Sequence, residues 1–108
     1  MGISTKGRAM SEQLAEPSER ATRFLKNLFA EYENRSEAQK KTERDELGVF
    51  FDIGYVNGCY YDFEQVRSYM DELIEQGYLS SFGRPGYGTA HAVFTPEGVE
   101  RCKRLFSK

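Results

Sequence analysis

The sequence predicts a mainly α-helical domain built from three helices, a small two-stranded β-hairpin and a closing C-terminal helix. Three observations predict it. Apolar residues recur at helical spacing in long segments, a loop rich in Gly and Pro separates two short β-prone runs, and Thr95-Pro96-Glu97 has the chemistry of a helix start directly after them. A chain of 108 residues with 39% apolar and 30% charged content has room for one such domain, and eight Phe with seven Tyr supply large side chains for its core.

Residues 1–17 are mostly Gly, Ser, Thr and charges, with Ile3, Met10 and Leu14 as scattered large apolar side chains. They predict a flexible N-terminal arm ahead of a domain spanning 18–108, and Met10 is a second candidate start. Phe24, Leu25, Leu28, Phe29 and Tyr32 then share one helical face, which predicts a first helix from about Ser18 to Asn34.

The stretch from Ser36 to Glu46 is polar, and Ser36 with Gln39 and Thr42 with Asp45 resemble helix starts that satisfy their own N–H groups. Leu47, Phe50, Phe51 and Gly54 follow at helical spacing, predicting a second helix from about Thr42 to Ile53. Asn57-Gly58 signals a turn, and Asp62 is a cap for a third helix to about Gln76, with Phe63, Val66, Met70, Leu73 and Ile74 as its core stripe. Gly77 ends that helix. Tyr78–Phe82 and His91–Phe94 pair as a hairpin around the loop from Gly83 to Gly88. Pro96 and Glu97 open a last helix that turns Val99, Cys102 and Phe106 inward.

Several function classes find no support in the residues. Cys59 and Cys102 have no metal-ligand spacing between them, and His91 is the single histidine, so neither a metal nor another cofactor is expected. Nothing joins a nucleophile to a base and an orienting group, and no phosphate-binding glycine loop precedes a helix, so an enzyme is not expected. No stretch is long and apolar enough to span a bilayer or to act as a signal peptide, which places the expected protein in the cytoplasm. A net charge of -2 weighs against a nucleic-acid binder as a whole.

Leu73-Ile74-Glu75-Gln76-Gly77-Tyr78-Leu79, a hairpin, and then Phe94-Thr95-Pro96-Glu97-Gly98 follow in an order that resembles winged helix-turn-helix regulators of the MarR and PadR type. The resemblance spans about Ser18 to Phe106 in architecture and rests on Val66 to Gly98 in motif. It implies that the third helix enters the major groove of double-stranded DNA while the hairpin, as a wing, touches a neighbouring groove or phosphates. The implied contacts are Tyr61, Glu64, Gln65, Arg67 and Ser68 on or beside that helix, and Arg84, Tyr87 and Thr89 on the wing. Gln65 suits an adenine edge and Arg67 a guanine edge or a phosphate. Lys40, Lys41 and Arg44 suit backbone phosphates.

The chain departs from the pattern in its charge. The third helix carries Asp62, Glu64, Asp71, Glu72 and Glu75 against Arg67 alone, and the wing offers one cation, Arg84. Blander roles compete for the same residues: Arg67 can pair with Asp71 one turn on, His91 suits a packed position, and Tyr55, Tyr60 and Tyr61 suit the core edge. Two functions are therefore expected in competition. One is a transcription regulator, homodimeric through Phe29, Tyr32, Leu105 and Phe106 on the first and last helices, with Arg20, Arg23, Lys26, Arg101, Lys103, Arg104 and Lys108 as a second cationic face. The other is a protein–protein interaction module that docks its partner through the acidic third helix or the aromatic wing and has little or no DNA affinity.

Overall fold

Pro17-Ser18 sets the start of the first helix, α1 (Glu19–Glu33), because the Ser18 hydroxyl accepts a hydrogen bond from the Ala21 amide at 3.2 Å. The structure, a computed structural model, describes residues 16–35, 47–86 and 88–106. Within them lie α1, β1 (Gly48–Asp52), β2 (Tyr55–Val56), β3 (Cys59–Tyr60), α2 (Phe63–Glu75), β4 (Leu79–Gly86), β5 (Thr89–Phe94) and α3 (Pro96–Phe106).

The fold class differs from the expected mainly α winged helix. Five antiparallel strands form one sheet in the order β3-β2-β1-β5-β4, so the hairpin is the edge of a sheet rather than a two-stranded wing. The difference arises at the expected second helix, Thr42–Ile53. Residues 42–46 lie outside the described residues, and Gly48–Asp52 is a strand. Val49 and Phe51 are buried while Phe50 and Asp52 are exposed, a period of two that fits the aromatic and β-branched composition of the run. β1 pairs with β5 along its whole length, with Phe50 opposite His91. The Asn57-Gly58 turn lies where expected but closes a second hairpin: φ is +52° at Asn57 and +83° at Gly58, the doubly positive combination that a tight hairpin turn requires.

The other elements stand close to their expected bounds. α2 opens with a capping box in which the Gln65 amide donates to Asp62 Oδ1 at 2.8 Å and the Asp62 amide donates to Gln65 Oε1 at 3.0 Å. It closes on Gly77, where the Gly77 amide donates to the Ile74 carbonyl at 3.1 Å and the Tyr78 amide to the Leu73 carbonyl at 2.9 Å, the paired bonds of a left-handed C-terminal cap. The following β4–β5 hairpin is bulged between Leu79 and Ser81 and again between Gly83 and Gly86.

The helices cover one face of the sheet. Phe24, Leu25, Leu28 and Phe29 of α1, Val66, Met70 and Leu73 of α2, and Val99 and Cys102 of α3 form one core with Val49, Phe51, Val56, Leu79, Ala90, Ala92 and Phe94 from the strands. Phe24 stands at its centre, with ring centroids 5.1 Å from Tyr61, 5.4 Å from Tyr69 and 6.4 Å from Phe51. Of the residues expected to join two copies, Phe29 is buried, and it packs against Tyr32, Phe94 and Phe106 of its own chain; Leu105 is exposed. Among the described residues no helix is long and apolar enough to cross a membrane.

Candidate nucleic-acid interface

The outward side of α2 presents Glu64, Arg67, Ser68, Asp71 and Glu75, all exposed. Three carboxylates against one guanidinium give this face a negative field, and a groove walled by phosphates repels it. Gln65 holds the capping box with its Oε1, which leaves its Nε2 to donate outward. Tyr61 precedes the helix and is buried, with its hydroxyl accepting from Asn27 Nδ2 at 2.9 Å. Burial pushes its phenol above the usual value, and the Asn27 hydrogen bond opposes that in part.

The sequence-predicted contacts do not share one surface. Arg67 and Ser68 belong to the helix layer, whereas Thr89 lies in β5 opposite Asp52, on the sheet face turned away from the helices. Arg84 belongs to β4. Lys40, Lys41, Arg44 and Tyr87 lie outside the described residues.

What the fold does bring together is a set of rings on the helix-free face. Alternation along β1 puts Phe50 there, at 43% exposed, and its register partner His91 meets it with ring centroids 4.4 Å apart. Tyr55 pairs with Tyr60 on the next hairpin; they are 61% and 64% exposed with centroids 5.7 Å apart. Both tyrosines were expected at the core edge, and both stand in solvent. Asp52, beside Tyr55 in the ladder, is the acidic residue between the two ring pairs.

Tyr60 also marks the rim of this face, because β3 is an edge strand. There it lines a cleft of about 350 Å³ with Arg20 and Arg23 from α1 and with Tyr61, Gln65 and Tyr69. The turn of the β2–β3 hairpin is pinned to α1: the Asn57 amide donates to Glu31 Oε2 at 2.7 Å and Asn57 Nδ2 donates to Asn27 Oδ1 at 3.1 Å. These two hydrogen bonds tie the backbone of the ring-bearing hairpin to the helix that carries Arg20 and Arg23. Among the described residues no three His, Cys, Asp or Glu side chains gather as a metal site. The sequence signal for this surface was Asn57-Gly58 between Tyr55-Val56 and Cys59-Tyr60, a hairpin pattern whose exposed rings fall at the paired positions.

No known protein family matches the chain, and no curated protein or solved structure is significantly similar to it.

Proposed function

We propose that this chain is a non-catalytic DNA-binding module serving transcription regulation in the cytoplasm, and that it binds through the open face and rim of its sheet rather than through α2. The observation that supports this most is the juxtaposition of four solvent-facing rings, Phe50, His91, Tyr55 and Tyr60, with Arg20 and Arg23 at the edge. Stacking rings and cations beside them are the two ingredients that hold bases and phosphates together. This placement does not require the acidic outer side of α2 to enter a phosphate-walled groove, and so avoids the repulsion that a groove-reading α2 would suffer.

Fluorescence anisotropy with a short labelled duplex and its separated strands, at low and physiological salt, tests the proposal. The expected result is saturable binding that weakens steeply with salt. Phe50→Ala and Tyr60→Ala should each weaken it roughly fivefold to a hundredfold, the range for losing one stacked base, with an unchanged far-ultraviolet spectrum. Absence of binding even at low salt overturns it.

One observation favours a second reading. Glu64, Asp71 and Glu75 form an exposed acidic stripe on α2 that suits a basic protein partner, and this reading takes over if DNA does not bind.

A further inference from the structure

The rim cleft differs from the rest of the surface in what lines it. Among the described residues its polar lining comes from Arg20, Arg23, Gln65, Tyr60 and Tyr69, with the ring of Tyr61 beside them and its hydroxyl bonded to Asn27; no carboxylate is among these residues, although the chain carries more acids than bases. Arg20 and Arg23 lie three residues apart and so project from one side of α1. Arg23 is tied to Glu19 at 3.7 Å, but both side chains are largely exposed, and such a pair holds so weakly that an incoming anion can replace it. Arg20 makes no ion pair among the described residues. Arg20, Gln65 and Tyr69 also line a separate groove that contains Glu19, Glu64 and Glu72, so the donor-lined cleft adjoins an acid-lined one.

Both halves of a ligand are specified by this lining. Two guanidinium forks with an amide and the phenols of Tyr60 and Tyr69 suit a dianionic phosphate. Tyrosine rings suit a planar group, and the volume lies at the small end of the ~300–1,000 Å³ usual for small-molecule sites. We infer that the cleft seats a nucleotide unit, its phosphate on Arg20 and Arg23 and its base against Tyr60 or Tyr69. Tyr60 is shared between the cleft and the ring pair on the open face, so a chain of nucleotides entering here continues onto Tyr55. Bases reach tyrosine faces only when they are unpaired, so the polymer that fits is a single strand. That extension to a polymer rests on the DNA-binding reading; the cleft itself does not.

The test uses the full chain and amide resonances in a nitrogen–proton spectrum. Adenosine monophosphate, adenosine, inorganic phosphate and phenyl phosphate are titrated separately, and a labelled oligothymidine strand is followed by anisotropy. Adenosine monophosphate is expected to move the Arg20, Arg23, Tyr60, Gln65 and Tyr69 resonances saturably, and at least about tenfold more tightly than adenosine or phosphate. Arg23→Gln and Arg20→Gln should each weaken it about tenfold or more, while Arg67→Gln, on the outer side of α2, leaves it unchanged. The inference is overturned if the cleft resonances stay still, if the movements map elsewhere, or if the arginine variants bind as the parent does. Phenyl phosphate binding as tightly as the nucleotide overturns it in favour of a phosphotyrosine-bearing partner. Oligothymidine binding with a silent cleft rejects the cleft and keeps the DNA reading; nucleotide in the cleft with no strand bound keeps the cleft and rejects its extension to a single strand.

Discussion

Cys102 and Cys59 show how position divides one residue type into two chemistries. Cys102 is fully buried among the apolar side chains between α1 and α3, and burial pushes its thiol from an ordinary value of 9.0 up to about 12. Cys59 is exposed on the edge strand β3. A thiol reagent at neutral pH should therefore modify one cysteine in the folded protein and the second only after denaturant is added; two rapid equivalents would contradict the burial of Cys102. The raised thiol also sets a direction for stability. Its stabilising contribution is whole below pH 9, because folded and unfolded chains both carry the neutral thiol there, and it is lost as pH rises toward 12. Tyr61 and Tyr78, both raised by burial, add to the loss above pH 10. Urea midpoints should hold steady from pH 7 to 9 with respect to these groups and fall beyond, and Cys102→Ala should lessen the early part of the fall.

At the scale of elements, the end of α2 and the start of α3 meet at a hydrogen-bonded corner. Thr95 Oγ1 donates to the Gly77 carbonyl at 2.6 Å and accepts from the Gly98 amide at 2.8 Å, while the Thr95 amide donates to the Tyr78 carbonyl at 3.1 Å. One threonine caps α3 and fastens it to the left-handed end of α2. Gly98 is the residue that permits the approach, since a Cβ there would meet the Tyr78 carbonyl oxygen and lie 2.9 Å from Thr95 Oγ1. Gly98→Ala should cost about 3 kcal/mol or more, beyond the usual overpacking of a core, because backbone rather than a side chain must move. Thr95→Ala should cost about 1–2 kcal/mol, the range for a lost N-cap. Urea midpoints at constant slope measure both, and a Gly98→Ala protein as stable as the parent would show that α3 is not seated on this corner.

For the molecule as a whole, the order β3-β2-β1-β5-β4 makes β3 and β4 the edges, and the pairing of β1 with β5 joins the two hairpins. The β2–β3 hairpin that carries Tyr55 and Tyr60 is short and local, held mainly by Val56, Tyr61 and the Asn57 contacts to α1. Hydrogen exchange should divide accordingly. Amides in the β1–β5 ladder should exchange only through global unfolding, whereas those of β3 should open at lower free energy. Equal protection in both would mean that the β2–β3 hairpin is as rigid as the core and that Tyr55 and Tyr60 are already ordered in the free protein.

The amino-acid sequence by itself determined what depends on near neighbours. Ser18, Asp62 and Thr95 mark helix starts through hydrogen bonds within three residues, Gly77 ends α2 through its own φ of +90°, and Phe24 to Phe29 declare a buried helical face by spacing alone. The tertiary structure decided the fate of Val49-Phe50-Phe51. Flanked by Leu47 and Gly54, these residues satisfy a helical spacing as well as a strand's, and only the pairing of β1 with the distant β5 selects the period of two. The same pairing decided the candidate site. Whether a tyrosine or phenylalanine in a strand is core or contact surface depends on which face of the sheet the helices cover, a property of the assembled layers that no local pattern contains.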